Sequence, residues 1–148
     1  MKHKTLTLLL SLVLAGLCAF GFGVHASDAD LTPLPGNPLR KQVLDALRTE
    51  VKRRTGLDVV FVVKQLRVKD GWAWVHTLPQ SRDGNNRYED ISALLRFSNG
   101  AWEVAEIPCG EVDNPDCLNG PEYFHGLRER FPTVTAEIFP DWARISSK

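Results

Sequence analysis

Residues 59–76 read VVFVVKQLRVKDGWAWVH, and this stretch decides the fold class. Residues 59–63 form a β-branched and aromatic run, Asp70-Gly71 is a turn signal, and residues 72–76 return to strand composition. Together they predict a β-hairpin. Further on, residues 91–97 and 101–107 flank Ser98, Asn99 and Gly100, and Asn-Gly between two such runs predicts a second hairpin. A polar loop at residues 80–86 separates the two. Upstream, Asn37 suits an N-cap and Pro38 suits the first helical position, where a missing N–H costs nothing. Leu39, Val43, Leu44, Leu47 and Val51 then recur at helical spacing, with Arg40, Lys41, Asp45, Arg48, Lys52 and Arg53 on the other side. This pattern predicts an amphipathic helix over 38–54, stopped by Gly56 in a left-handed conformation.

After the second hairpin, Pro108 breaks the ladder and Cys109 and Cys117 bracket a short acidic loop. Pro121 opens a short helix whose apolar side is Tyr123, Phe124, Leu127 and Phe131, and Pro132 ends it. Residues 134–142 read as a fifth short strand or as a segment lying across the sheet, with Pro140 limiting regular structure. The expected class is α+β: an N-terminal helix packed on a mainly antiparallel four-stranded sheet, with a short C-terminal helix, in one domain spanning 38–148.

The first 26 residues have a different character. Lys2 and Lys4 precede an apolar run from position 6 to 17, and Val24-His25-Ala26 has the form of a cleavage site. Residues 1–26 therefore read as a secretory signal peptide, and the expected location is periplasmic or secreted, with no stable membrane insertion after cleavage. An uncleaved anchor is the rival reading, because the apolar character extends through Phe20 and Phe22. A lipoprotein fits less well, since Leu17 precedes Cys18. Residues 27–37, with Pro33 and Pro35, read as an extended linker. The full chain of 148 residues balances 18 Lys and Arg against 18 Asp and Glu. Cleavage after Ala26 removes two lysines and no acid, so the mature chain carries a formal charge of −2. That balance offers no basic excess for phosphate, and no nucleic-acid partner is expected. Cleavage also removes Cys18 and leaves Cys109 and Cys117 as a pair, which oxidising conditions would bridge.

The segments LDALR (44–48), FVVKQLRV running into GWAWV (61–75), and ALLRF followed by GAWEV (93–104) resemble a group of small exported bacterial domains of unestablished function. Their helix-on-curved-sheet layout is similar to the cystatin-like and nuclear-transport-factor-2-like shapes. The resemblance covers residues 38–107, implies the fold alone and carries no catalytic residue across.

Chemistry-bearing patterns are sparse. Only His76 and His125 remain in the mature chain, and no HExxH, CxxC, DxDxDG, GxSxG, Walker or GxGxxG pattern occurs, so no metal or cofactor is expected. His76 shares a strand face with Trp72 and Trp74 and is the candidate base or ligand contact, with Asp70, Asp90 or Glu106 to orient it. The plainer reading is a half-buried sheet histidine beside core tryptophans. Trp72, Trp74 and Trp102 are suited to stack a ring, or to fill the core. His125 reads as surface. The basic residues of the first helix are interspersed with Asp45 and Glu50, as on a solvated face.

The loop between the cysteines holds Glu111, Asp113 and Asp116, with no basic residue. A short loop stapled into one conformation loses little entropy on docking to a cationic partner. The plainer reading is that the bridge only pins the chain after the last sheet strand. The expected function is binding of a partner protein or an envelope ligand, with this loop as the candidate surface; a role in envelope structure is a further reading. The alternative is a small-molecule binder or enzyme using the Trp72/Trp74/His76 face. Removal of residues 1–26 is checked by intact mass: the exported protein should begin at Ser27, and a membrane-retained full-length chain would reject the cleavage site.

Overall fold

The computed structural model describes residues 32–111, 114 and 117–144; the proposed signal peptide and residues 27–31 of the linker lie outside this set, as do Asp113 and Asp116. Helix α1 (Pro38–Thr55) starts at the predicted cap, where Asn37 Oδ1 accepts the Leu39 N–H at 2.8 Å. It stops at Gly56, which has φ 76° and donates its N–H to the Lys52 carbonyl at 2.8 Å. Four strands follow: β1 (Val59–Lys69), β2 (Trp72–Ser81), β3 (Ile91–Ser98) and β4 (Ala101–Glu106). They pair antiparallel in the order β1-β2-β3-β4. Each hairpin turn has two successive positive φ values, 51° and 77° at Asp70 and Gly71, and 52° and 81° at Asn99 and Gly100. Such mirror-image turns match the twist of the strands they join.

Both sheet faces are covered. On one, Val43, Leu47 and Val51 of α1 pack on Val59, Leu66, Ala73, Val75, Ala93 and Leu95. On the other, Trp72, Trp74 and Leu94 pack beneath helix α2 (Pro121–Arg130), a 3₁₀ turn (Ala136–Ile138) and helix α3 (Asp141–Arg144). The tail thus lies across the sheet and adds no strand. The centre of this second core is Trp74, 1% exposed, with the rings of Phe124 and Phe139 edge-on at 5.1 and 5.8 Å. Such aromatic pairs add to the burial of apolar area because ring edges and faces carry opposite partial charge. Among the described residues no helix is long and apolar enough to cross a membrane.

The C-terminal layer is tied to both edges of the sheet. At the β1 edge, Arg67 donates to the Phe139 carbonyl at 2.7 Å and to Asp141 at 2.8 Å, and Lys69 pairs with Glu137. At the β4 edge, Glu106 accepts from the Tyr123 hydroxyl at 2.6 Å and from Arg130 at 2.7 Å. Burial, and then the Glu106 carboxylate beside it, hold the Tyr123 phenol protonated well above its ordinary range. A folded pKa raised above the unfolded one contributes stability that is fully present below about pH 10 and is lost at higher pH. Tyr123→Phe should therefore lower stability at neutral pH by about 1–2 kcal/mol and shrink the alkaline loss. Denaturant unfolding at neutral pH and above pH 10 checks both effects.

Candidate functional site

The tryptophan face is not an open platform. Trp72 and Trp74 are buried under the C-terminal layer, with Trp72 Nε1 donating to Thr133 Oγ1 at 3.2 Å. Trp102 sits on the opposite sheet face, half-buried against the α1-side core, with its ring 5.5 Å from that of Phe97. Alternation along β2 puts Trp74, His76 and Leu78 on one face. Going outward, burial falls from Trp74 through His76, whose side chain is 32% exposed, to the exposed pair Leu78 and Val62. His76 therefore marks the margin of the cover.

At that margin lies a cleft of about 350 Å³. Its sheet side is Gln65, Trp74, His76, Asp90 and Ser92; the rest comes from Leu118 and Asn119 and from Pro140 and Trp142. The volume and the mixture of apolar walls with a few converging polar groups suit a small-ligand site. Ser92, directly across from His76 in the β2–β3 register, places Oγ 3.0 Å from His76 Nδ1. Asp90 approaches the same nitrogen at 3.7 Å. A serine relay requires the hydroxyl and the orienting carboxylate on opposite ring nitrogens, so this trio is not one. It fixes the imidazole and leaves Nε2 without a protein partner among the described residues. Of the other acids considered for His76, Asp70 occupies the first hairpin turn and Glu106 is engaged by Tyr123 and Arg130.

The cysteine loop meets the cleft from the side. Cys109 and Cys117 are bridged, with Cα atoms 4.6 Å apart, and Cys117 is buried. Immediately after the bridge, Leu118 N–H donates to the Cys109 carbonyl at 2.9 Å. The Asn119 side-chain amide donates to the carbonyls of Glu111 at 2.6 Å and Asn114 at 2.7 Å. The staple and these bonds hold Leu118 and Asn119, which are cleft wall. Glu111 is exposed, and its carboxylate accepts from Asn114 Nδ2 at 3.3 Å.

Ser92 and Trp142 are among the cleft residues that carry no signal in local sequence. Ser92 matters because strand register sets it across from His76, and Trp142 because the tail folds back over the sheet. Elsewhere, His125 is exposed, 3.4 Å from Glu129. On α1, hydrogen bonds from Arg53 and then Arg54 hold Glu50 down at about 2, and Lys41 and Arg48 pair with Asp45, so much of the basic face is neutralised locally. Among the described residues no three His, Cys, Asp or Glu side chains gather into a metal-binding group. Comparison with protein-family models, curated proteins and solved structures finds no match for the chain.

Replacing both Cys109 and Cys117 by Ser should lower stability by about 2.5 kcal/mol on the chain-entropy account. Because the bridge supports the cleft wall, NMR resonances of Leu118, Asn119 and His76 should shift, while those of Asn99 and Gly100 stay in place.

Proposed function

We propose that the chain is an exported bacterial protein that acts by binding, with its recognition surface at the rim where the stapled loop meets the His76 cleft. The observation that carries this reading is the shared wall: Leu118 and Asn119, held by the disulfide and its hydrogen bonds, close the cleft that ends on His76. A local staple of this kind reduces the ordering cost of binding at the residues it fixes. Export is part of the proposal, and the bridged cysteines support it because disulfides persist in oxidising compartments. The shape resemblance to cystatin-like and nuclear-transport-factor-2-like domains is also part of it, supported by α1 lying on an antiparallel sheet.

Binding is preferred to catalysis because Ser92 and Asp90 both address Nδ1 of His76, which gives an oriented hydrogen-bonding imidazole and no activated hydroxyl. The aromatic Trp142 and apolar Leu118 and Pro140 supply contact area around it. In this arrangement the acids Glu111, Asp113 and Asp116 contribute long-range attraction for a cationic ligand or partner, which acts mainly on association rate.

The test is titration of isotope-labelled protein with the small-molecule and protein fractions of native envelope extract. One fraction should shift His76, Ser92, Leu118, Asn119 and Trp142 together, and His76→Asn or Trp142→Ala should weaken that response at least about tenfold. Replacing Glu111, Asp113 and Asp116 with Gln or Asn should slow association and reduce its salt dependence. Shifts mapping away from the rim would reject the reading; a response that ignores His76→Asn and vanishes in the loop variant would assign recognition to the acids alone.

A further inference from the structure

Strand β1 forms one edge of the sheet, with β2 on one side and, among the described residues, no strand on the other. The Val59 carbonyl at its start accepts Arg48 Nε at 3.1 Å. Over residues 60–68 no side chain or loop of the described residues hydrogen-bonds the backbone of this edge. A groove of about 600 Å³ runs beside it. Residues 63–67 line it from the strand, Thr32 comes from the segment before α1, Arg40 from α1, and Pro140, Asp141 and Trp142 from the C-terminal layer. The strand edge thus lies in a trough between the layers above and below the sheet.

Among the described residues the charge in this trough is unbalanced. Arg40, Lys64 and Arg67 face one carboxylate, Asp141, which is engaged by Arg67 and Arg144. Arg40 donates to the Pro33 carbonyl at 3.2 Å, and neither Arg40 nor Lys64 has a carboxylate partner among the described residues. Lys64 is exposed and is the extra residue where the β1–β2 register shifts between Val63 and Gln65. A lysine at an edge-strand bulge opposes pairing of two copies, because like charges meet. The same lysine favours an incoming strand that is acidic.

We propose that this groove takes an extended acidic peptide segment of a partner protein, added to the sheet as a strand beside β1. Backbone hydrogen bonds along the edge supply affinity, as in other strand-addition complexes, and Arg40 and Lys64 supply the preference for carboxylates. Trp142, 50% exposed, gives an apolar side chain of the peptide a wall to pack on. This goes beyond the His76 reading and does not rest on it, although Gln65, Pro140 and Trp142 border both spaces.

The probe is a fluorescein-labelled heptapeptide of alternating Val and Glu, followed by anisotropy. It should bind saturably and more weakly at high salt, and Lys64→Glu, alone or with Arg40→Glu, should weaken it at least about tenfold. N-methylation of alternate peptide amides, which removes the edge hydrogen bonds, should abolish binding. A Val/Lys peptide should not bind, and His76→Asn should leave the Val/Glu peptide unaffected, which separates this proposal from the cleft. Circular dichroism confirms that the charge variants fold. No saturable binding up to millimolar peptide, equal binding of the Lys or N-methylated peptide, or sedimentation showing that two copies pair through this edge would each overturn the proposal.

Discussion

Strand β2 is apolar on both sides, and the rest of the molecule follows from the need to cover both. Trp72, Ala73, Trp74 and Val75 are all buried, so neither face of the sheet can be left to water. Antiparallel sheets commonly leave one face solvated, and a run buried on both faces demands a layer on each. Helix α1 covers Ala73 and Val75. The chain after Cys117 covers Trp72 and Trp74, and it does so without regular length: one ten-residue helix, one 3₁₀ turn and one four-residue helix. Aromatic contacts through Phe124 and Phe139 and edge ties through Arg67 and Glu106 hold these short pieces in register with the sheet.

A cover made of short pieces also decides where a site can form. It closes over Trp74 and thins at His76, so the sheet passes from dry core to open surface within four positions of β2. Clefts arise at such margins because the edge of one layer overhangs the face of the other. Here the overhang has two parts, Trp142 with Pro140 from the tail and Leu118 with Asn119 from the stapled loop. The disulfide therefore has a role beyond fixing its own loop. It sets the position of one wall of a cleft whose floor belongs to the sheet.

What was legible in the sequence was local. Asn37, Pro38 and Gly56 mark α1 because cap and stop chemistry acts within a turn, and Asp70-Gly71 and Asn99-Gly100 mark the hairpins because two residues set the turn type. His76 could be singled out from its type and place on the strand. What stayed hidden depends on contacts far apart in the chain. Arg67 meets the Phe139 carbonyl across 72 positions, and no local pattern around either residue announces that meeting. Strand alternation puts Trp72, Trp74 and His76 on one face, but the tail determines which of them are reachable. Trp102 shares the residue type of that group, but its register on β4 turns it to the α1 side.

The C-terminal segment is a fixed cover seated on Trp74, and the cleft opens at its margin beside His76. Nuclear Overhauser contacts between the Trp74 indole and the rings of Phe124 and Phe139 measure this most directly. Strong contacts to both rings are expected, together with a His76 ring in contact with Ser92 and open to solvent. Absence of both ring contacts would contradict this, because the tryptophan face would then be the open surface.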